Sequence, residues 1–220
     1  MSRQRRQIRR ARRVARRRRA PEEARQLLLD AAERLFADDN PDAVGLKEVA
    51  REAGVSHALI THYFGTYAGL VEATLQRRLT ALRERIRERL GEAGAVSRPE
   101  ELLGMLFTAL EDPVHLRLIK WLSASERPSA IHAFALQQRG LAAIAHQVAA
   151  AVRSDPPREM IETIELALVT AVAAATGYAV SKEALAGAIG REPSTALDAG
   201  VKKTLAGMLQ AYLRDRIGIA

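Results

Sequence analysis

Apolar positions recur with helical spacing along nearly the whole chain. Leu28, Ala31, Ala32, Leu35 and Phe36 stand at i, i+3, i+4, i+7 and i+8, which puts them on one face of a helix. Pro21 suits the first position of that helix, and Glu22 and Glu23 fall where the helix dipole favours negative charge. Asp38-Asp39-Asn40-Pro41 ends it. A short helix is predicted over Leu46 to Ala53, a second over Ser56 to about Tyr63, and a long charged one from about Tyr67 to Leu90. Further breaks are predicted at Gly91 to Pro99, Asp112-Pro113, Arg127-Pro128, Ser154 to Pro157 and Gly190 to Pro193. No segment alternates with period two for long enough to read as a strand, and no repeat or Gly/Ser linker is present. The pattern predicts an all-α fold of about nine helices.

Composition narrows the class. With 48% hydrophobic and 27% charged residues over 220 positions, the chain has the makings of a soluble globular protein with a sizeable core. It contains no cysteine, which excludes disulfides, thiolate metal sites and cysteine nucleophiles and fits a reducing cytoplasm. The longest apolar run, Leu166 to Val180, covers 15 residues, short of the ~20 a bilayer span needs, so no membrane partner is expected. Residues 1–20 lack the apolar stretch of a secretory signal.

Charge changes the picture more. The net charge of +8 is concentrated in residues 1–20, which carry eleven arginines, Arg16, Arg17, Arg18 and Arg19 among them, and no acid. The other 200 residues hold 23 basic groups against 26 acids, a net of −3. A terminal block of one sign repels itself, is expected to be a disordered arm, and suits a polyanionic partner.

Leu46 to Leu70 is the informative stretch. Two short helices separated by a tight turn make a helix-turn-helix unit, whose second helix enters the major groove of DNA. Such a unit needs a small residue where the helices cross, and Ala50 supplies it. It needs a residue tolerant of positive φ in the turn, and Gly54 follows four positions later. Ile60, six further on, would lock the second helix to the first, with Val49, Val55, Leu59 and Phe64 completing a small core. Ser56 is placed to cap the second helix. An ordinary pair of antiparallel helices would satisfy part of the same spacing.

Val49-Ala50-x-x-Ala53-Gly54-Val55-Ser56, then Tyr63-Phe64-Gly65-Thr66, then Leu70 resembles the DNA-binding segment of tetracycline-repressor (TetR) family regulators. With the amphipathic helix before it, the resemblance covers about residues 22–70; the rest agrees in length and helical layout. Four positions depart from the family pattern. Gly45 stands where a Thr cap is usual, Ala58 replaces a Gly and Thr61 a Tyr, and Tyr67 replaces the Lys that meets a phosphate. Residues 21–70 hold four basic groups against nine acids, a net of −5, so the arginine arm is the expected source of positive charge toward DNA.

Base contacts are expected from His57, Ala58, Thr61 and His62, which share or border the outer side of the second helix. Histidine donates to guanine or accepts from cytosine, and the Thr methyl meets thymine. Gly45, Lys47, Ser56, Tyr63, Thr66 and Tyr67 complete the expected DNA face, the hydroxyls of Thr66 and Tyr67 being able to donate to a phosphate. The five histidines show no ligand spacing with carboxylates, so no metal site is expected. No Gly-rich phosphate loop, nucleophile elbow or metalloprotease helix is present, and neither a catalytic residue nor a cofactor is expected.

The expected domains are an arm over 1–20, a DNA-binding domain over 21–66 and an effector-binding and dimerisation domain over 67–220. Phe107, His115, Trp121, Phe134, Gln138 and Tyr178 combine apolar walls with a few polar tips, as an effector pocket does. The resemblance implies that the last two long helices of two subunits join in a four-helix bundle, with Leu168, Val172, Val201, Leu205, Met208, Leu209 and Tyr212 at the interface. The function implied is that of a cytoplasmic homodimeric regulator, nucleoid-associated when bound to double-stranded DNA, most often a repressor released by a small molecule. The competing reading is a non-specific polybasic binder of nucleic acid or anionic surfaces.

Overall fold

The computed structural model describes residues 21–92, 99–124 and 128–218; of Pro99 and of residues 128–139 it describes the backbone alone. The arginine arm therefore lies outside the described residues. Among those described there are nine helices and no strand. Helix α1 covers residues 21–38, and α2 (Leu46–Ala53), α3 (His57–Phe64) and α4 (Tyr67–Leu90) follow. Then come α5 (Pro99–Glu111), α6 (Pro113–Ala124), α7 (Pro128–Val152), α8 (Arg158–Ala188) and α9 (Thr195–Ile217). Several helix boundaries fall where a local residue ends or starts helical geometry. Pro99, Pro113 and Pro128 each open a helix, where a missing N–H costs nothing. Ser194 caps α9, its Oγ accepting from the Leu197 N–H at 3.2 Å.

The chain divides into two compact units, one ending at Thr74 and the other beginning at Leu75. This division lies eight residues inside α4, beyond the boundary at 66 that the sequence suggested. In the first unit the α1 stripe is fully buried at Leu28, Ala31, Ala32 and Phe36, joined by Leu29. Leu35 and Leu27 stay partly or largely accessible. Val49, Ala50, Ile60, Leu70 and Val71 complete this core.

In the second unit, Leu90 of α4, Ile144, Val148 and Ala149 of α7, and Met160 and Ile164 of α8 form one cluster. Leu103 of α5, Ala171 of α8 and Ala206 of α9 form another, with Leu205 and Leu209 packed against it. The small residues Ala167, Ala171 and Ala175 recur along the buried side of α8, which lets its neighbours approach closely. By length and composition alone α8 passes as a bilayer-spanning helix, contrary to the sequence expectation. Its inward side belongs to the cores just described. The helix departs from helical geometry at Ser181 (φ −114°, ψ 20°). On either side of that kink, Tyr178 donates to Asp198 Oδ1 at 2.7 Å and Lys182 to Asp198 Oδ2 at 2.6 Å, fastening α8 to α9.

Candidate nucleic-acid interface and ligand cavity

The α2–α3 turn follows from Gly54. At φ 66° and ψ 32° it takes the left-handed conformation in which a Cβ is costly. Val55 N–H then reaches back to Ala50 O at 3.0 Å and Gly54 N–H to Arg51 O at 3.2 Å, closing the Schellman pattern that ends α2. At the other end of α2, the Glu48 carboxylate accepts from the Gly45 N–H at 3.1 Å. This is one half of a capping box; glycine has no side chain to supply the other.

Helix α3 is held by Ile60, which is fully buried, while Leu59, Tyr63 and Phe64 are half-buried. Ser56, His57, Ala58, Thr61 and His62 are all exposed. The turn thus presents five of the expected contact residues to solvent, four of them with polar side chains. Thr61 Oγ1 approaches His57 O at 3.4 Å, and the His62 ring meets Tyr63 edge-on at 5.2 Å. Ser56 takes the extended cap conformation, but its hydroxyl makes no capping bond, which corrects the expectation. The first turn of α3 is instead closed by its backbone, Leu59 N–H donating to Ser56 O at 3.0 Å. Lys47 and Thr66 are exposed and Gly45 is half-buried.

The α3–α4 connection is equally specific. Gly65 (φ 70°, ψ −59°) forms a γ-turn, with Thr66 N–H donating to Phe64 O at 2.7 Å. Thr66 Oγ1 caps α4 by accepting from the Gly69 N–H at 3.0 Å. A Cβ at Gly69 would collide with the Phe64 carbonyl oxygen. The sequence motif Phe64-Gly65-Thr66-x-x-Gly69 is thus a single local device, and Gly69 extends the Phe64-Gly65-Thr66 pattern. Tyr67 uses its hydroxyl inward, donating to Pro41 O at 2.6 Å. Burial, reinforced by the charges of Asp42 and Glu48, pushes its phenol pKa well above the usual value. Its one donor is engaged within the protein, which corrects the expected phosphate contact.

The second unit holds a hydrocarbon-lined cavity of about 170 Å³ where α4, α5, α7, α8 and α9 meet. Leu82 and Ile86, Leu103, Ile144, Ala171 and Leu209 supply its walls, and among the described residues Arg83 is the charged one on its lining. The four sequence-predicted pocket residues whose side chains are described lie elsewhere. Phe107 and His115 are buried, Trp121 and Tyr178 half-buried, and none of them lines this cavity. The side chains of Phe134 and Gln138 fall outside the described residues. Phe107 instead packs against Tyr178, ring centres 6.4 Å apart. His115 sits beside the Arg78–Asp112 ion pair (2.6 Å), its backbone N–H donating to Asp112 Oδ1 at 3.1 Å. Burial, with the Arg78 charge, lowers its pKa to about 4, against a smaller opposing pull from Asp112.

Of the residues expected at a subunit interface, Met208 and Tyr212 are exposed. Leu168, Leu205 and Leu209 pack against the chain's own clusters, Val172 lines the cavity, and Val201 is half-buried. The outward apolar side of α8 is carried by Leu166 and Val169, 61% and 52% exposed, which are not among the expected interface residues.

Comparison with known proteins agrees with this construction. Residues 28–74 match the family model described as bacterial regulatory proteins, tetR family. The HTH-type transcriptional regulator BetI of Rhizobium meliloti (strain 1021) is 47% identical over 60 residues, 27% of this chain and 30% of its own length. The protein of the same description from Cronobacter sakazakii (strain ATCC BAA-894) is 30% identical over 141 residues, 61% of this chain and 68% of its own length. A solved chain from Mesorhizobium loti MAFF303099 assigned to the TetR family shares the fold, with a TM-score of 0.66 at 15% identity, covering 89% of this chain and 97% of that one. The glycine-built helix-turn-helix, the all-helical second unit and these likenesses together establish that the chain belongs to the TetR family of bacterial regulatory proteins.

Proposed function

We propose that the protein is a dimeric, sequence-specific DNA-binding transcriptional regulator, a cytoplasmic repressor that leaves its operator when a small molecule binds. The observation that carries this reading is α3: one side is anchored by fully buried Ile60 while Ser56, His57, Ala58, Thr61 and His62 face outward together. A helix so presented can lay its polar side along base edges in the major groove. Tyr63, Lys47, Gly45 and Thr66 flank it, and the arm with Arg16 to Arg19 supplies the positive charge that residues 21–70 lack. Leu166, Val169, Met208 and Tyr212 are apolar side chains left exposed on α8 and α9, and a second copy would bury them. The cavity supports an effector, and α4 lines it while its first turn belongs to the helix-turn-helix unit.

Selection of DNA from a random pool by the purified protein tests the reading. The expected result is a sharp near-palindromic motif with half-sites about one helical turn apart or somewhat more. Enrichment without any motif would establish non-specific polybasic binding instead.

A further inference from the structure

We infer that the cavity takes a small aliphatic carboxylate and that Arg83 selects its charge. The inference rests on the effector reading and names the chemical class of that effector. At about 170 Å³ the cavity is close in size to an engineered hydrocarbon-lined cavity that stays dry and binds benzene. It therefore suits an alkyl segment of roughly six to eight carbons. Among the described residues its lining has no carboxylate and no aromatic face, so they offer a cation neither a counter-charge nor a ring to rest on. Those residues bring no side-chain amide or hydroxyl either, so beside them a neutral polar group would lose its hydrogen bonds with water and gain few.

Arg83 is the polar exception, and it is held where it stands. Its Nη2 donates to Thr80 Oγ1 at 3.0 Å, one turn back along α4. On the opposite helix its Cδ and Nη1 lie over Gly140, where any Cβ would collide with them. A side chain at 140 would displace the guanidinium, so glycine there keeps the charge beside hydrocarbon walls. A guanidinium carries five N–H donors in a fixed fork, which a carboxylate engages two at a time. The same positive charge repels an amine, so an anion is preferred.

Calorimetry on the full chain tests this with hexanoate, octanoate, 1-octanol and octylamine. Octanoate is expected to bind at least about tenfold more tightly than 1-octanol, with octylamine weakest. Affinity should rise roughly fourfold per methylene from hexanoate to octanoate. Arg83→Met keeps the hydrocarbon stem and removes the charge; it should bind 1-octanol as the wild type does and lose the preference for the acid. Gly140→Ala should lose the same preference by displacing the guanidinium. Absence of octanoate binding to the wild type, or an acid preference unchanged in Arg83→Met, would overturn the inference. Operator binding is measured separately on the same samples. Operator binding with no response to octanoate refutes the ligand class alone, and octanoate binding with no operator motif refutes the regulator reading alone.

Discussion

The hydroxyl of Tyr67 donates to the carbonyl of Pro41 at 2.6 Å, tying the first turn of α4 to the loop that follows α1. Pro41 is itself fully buried, so the bond anchors the loop entering the helix-turn-helix. A position where the family carries a phosphate-binding lysine is here a strut. Tyr67→Phe should cost about 0.5–1.5 kcal/mol in chemical denaturation and leave the salt dependence of DNA binding unchanged. Deleting residues 1–20 should flatten the slope of log K against log salt by several units, at about 0.9 per phosphate neutralised. A slope changed by the phenylalanine and untouched by the deletion would reverse these roles.

Thr61→Ala and His62→Ala should leave folding nearly intact, because both side chains are exposed. Each should weaken specific binding by ~1–3 kcal/mol and non-specific binding little. Ile60→Ala should destabilise the fold by about 2–5 kcal/mol, because it empties a fully buried site. Titrations of selected and scrambled DNA, beside thermal melts, separate the two effects.

Gly69 and Gly104 should respond in opposite directions to alanine. At Gly69 the new Cβ strikes the Phe64 carbonyl, and overpacking of that kind costs about 1–3 kcal/mol. At Gly104, inside α5, nothing lies within 4 Å of the added carbon. Alanine there should stabilise the fold by ~0.4–1 kcal/mol through the unfolded chain. Paired urea curves decide the matter.

Met208 and Leu209 are neighbours with different duties. Met208 is 66% exposed on α9, and Met208→Asp should weaken the proposed dimer by about 2 kcal/mol or more while the monomer stays folded. Leu209 packs against the cluster of Leu103, Ala171 and Ala206, so Leu209→Asp should unfold the chain. Sedimentation equilibrium and circular dichroism read the two outcomes. A Met208→Asp protein that remains fully dimeric would exclude this face.

Stability should fall as pH drops below about 6.5, because His115 titrates there when unfolded but only near pH 4 when folded. Between those values the unfolded chain holds the extra proton, so stability is complete above the unfolded pKa and declines below it. The slope approaches about 1.4 kcal/mol per pH unit. Protonated His115 would face Arg78, with Asp112 already paired to that arginine. His115→Leu should flatten the slope between pH 6.5 and 5 in denaturant titrations. An unchanged slope would assign it to other groups.

The helix order was legible along the chain because proline and glycine act locally. Pro99, Pro113 and Pro128 open helices, and Gly54 and Gly65 terminate them, whatever the rest of the chain does. The helix-turn-helix was legible for the same reason: Ala50, Gly54 and Ile60 meet its needs within eleven residues. The inward and outward sides of α8 and α9 were not. Both sides of these helices are apolar, and a period of 3.6 residues cannot tell a core-facing stripe from a partner-facing one. Leu168, Val172, Leu205 and Leu209 were therefore grouped with Met208 and Tyr212, and only packing parted them. The cavity was equally hidden, since five helices spanning Leu79 to Leu213 build it and its leucines look like any other core leucines. Tyr67 drew its partner from 26 residues away, and Arg83 its place from a glycine on another helix. Local geometry is written in neighbouring residues, whereas the choice of contact partner follows from how whole helices fit together.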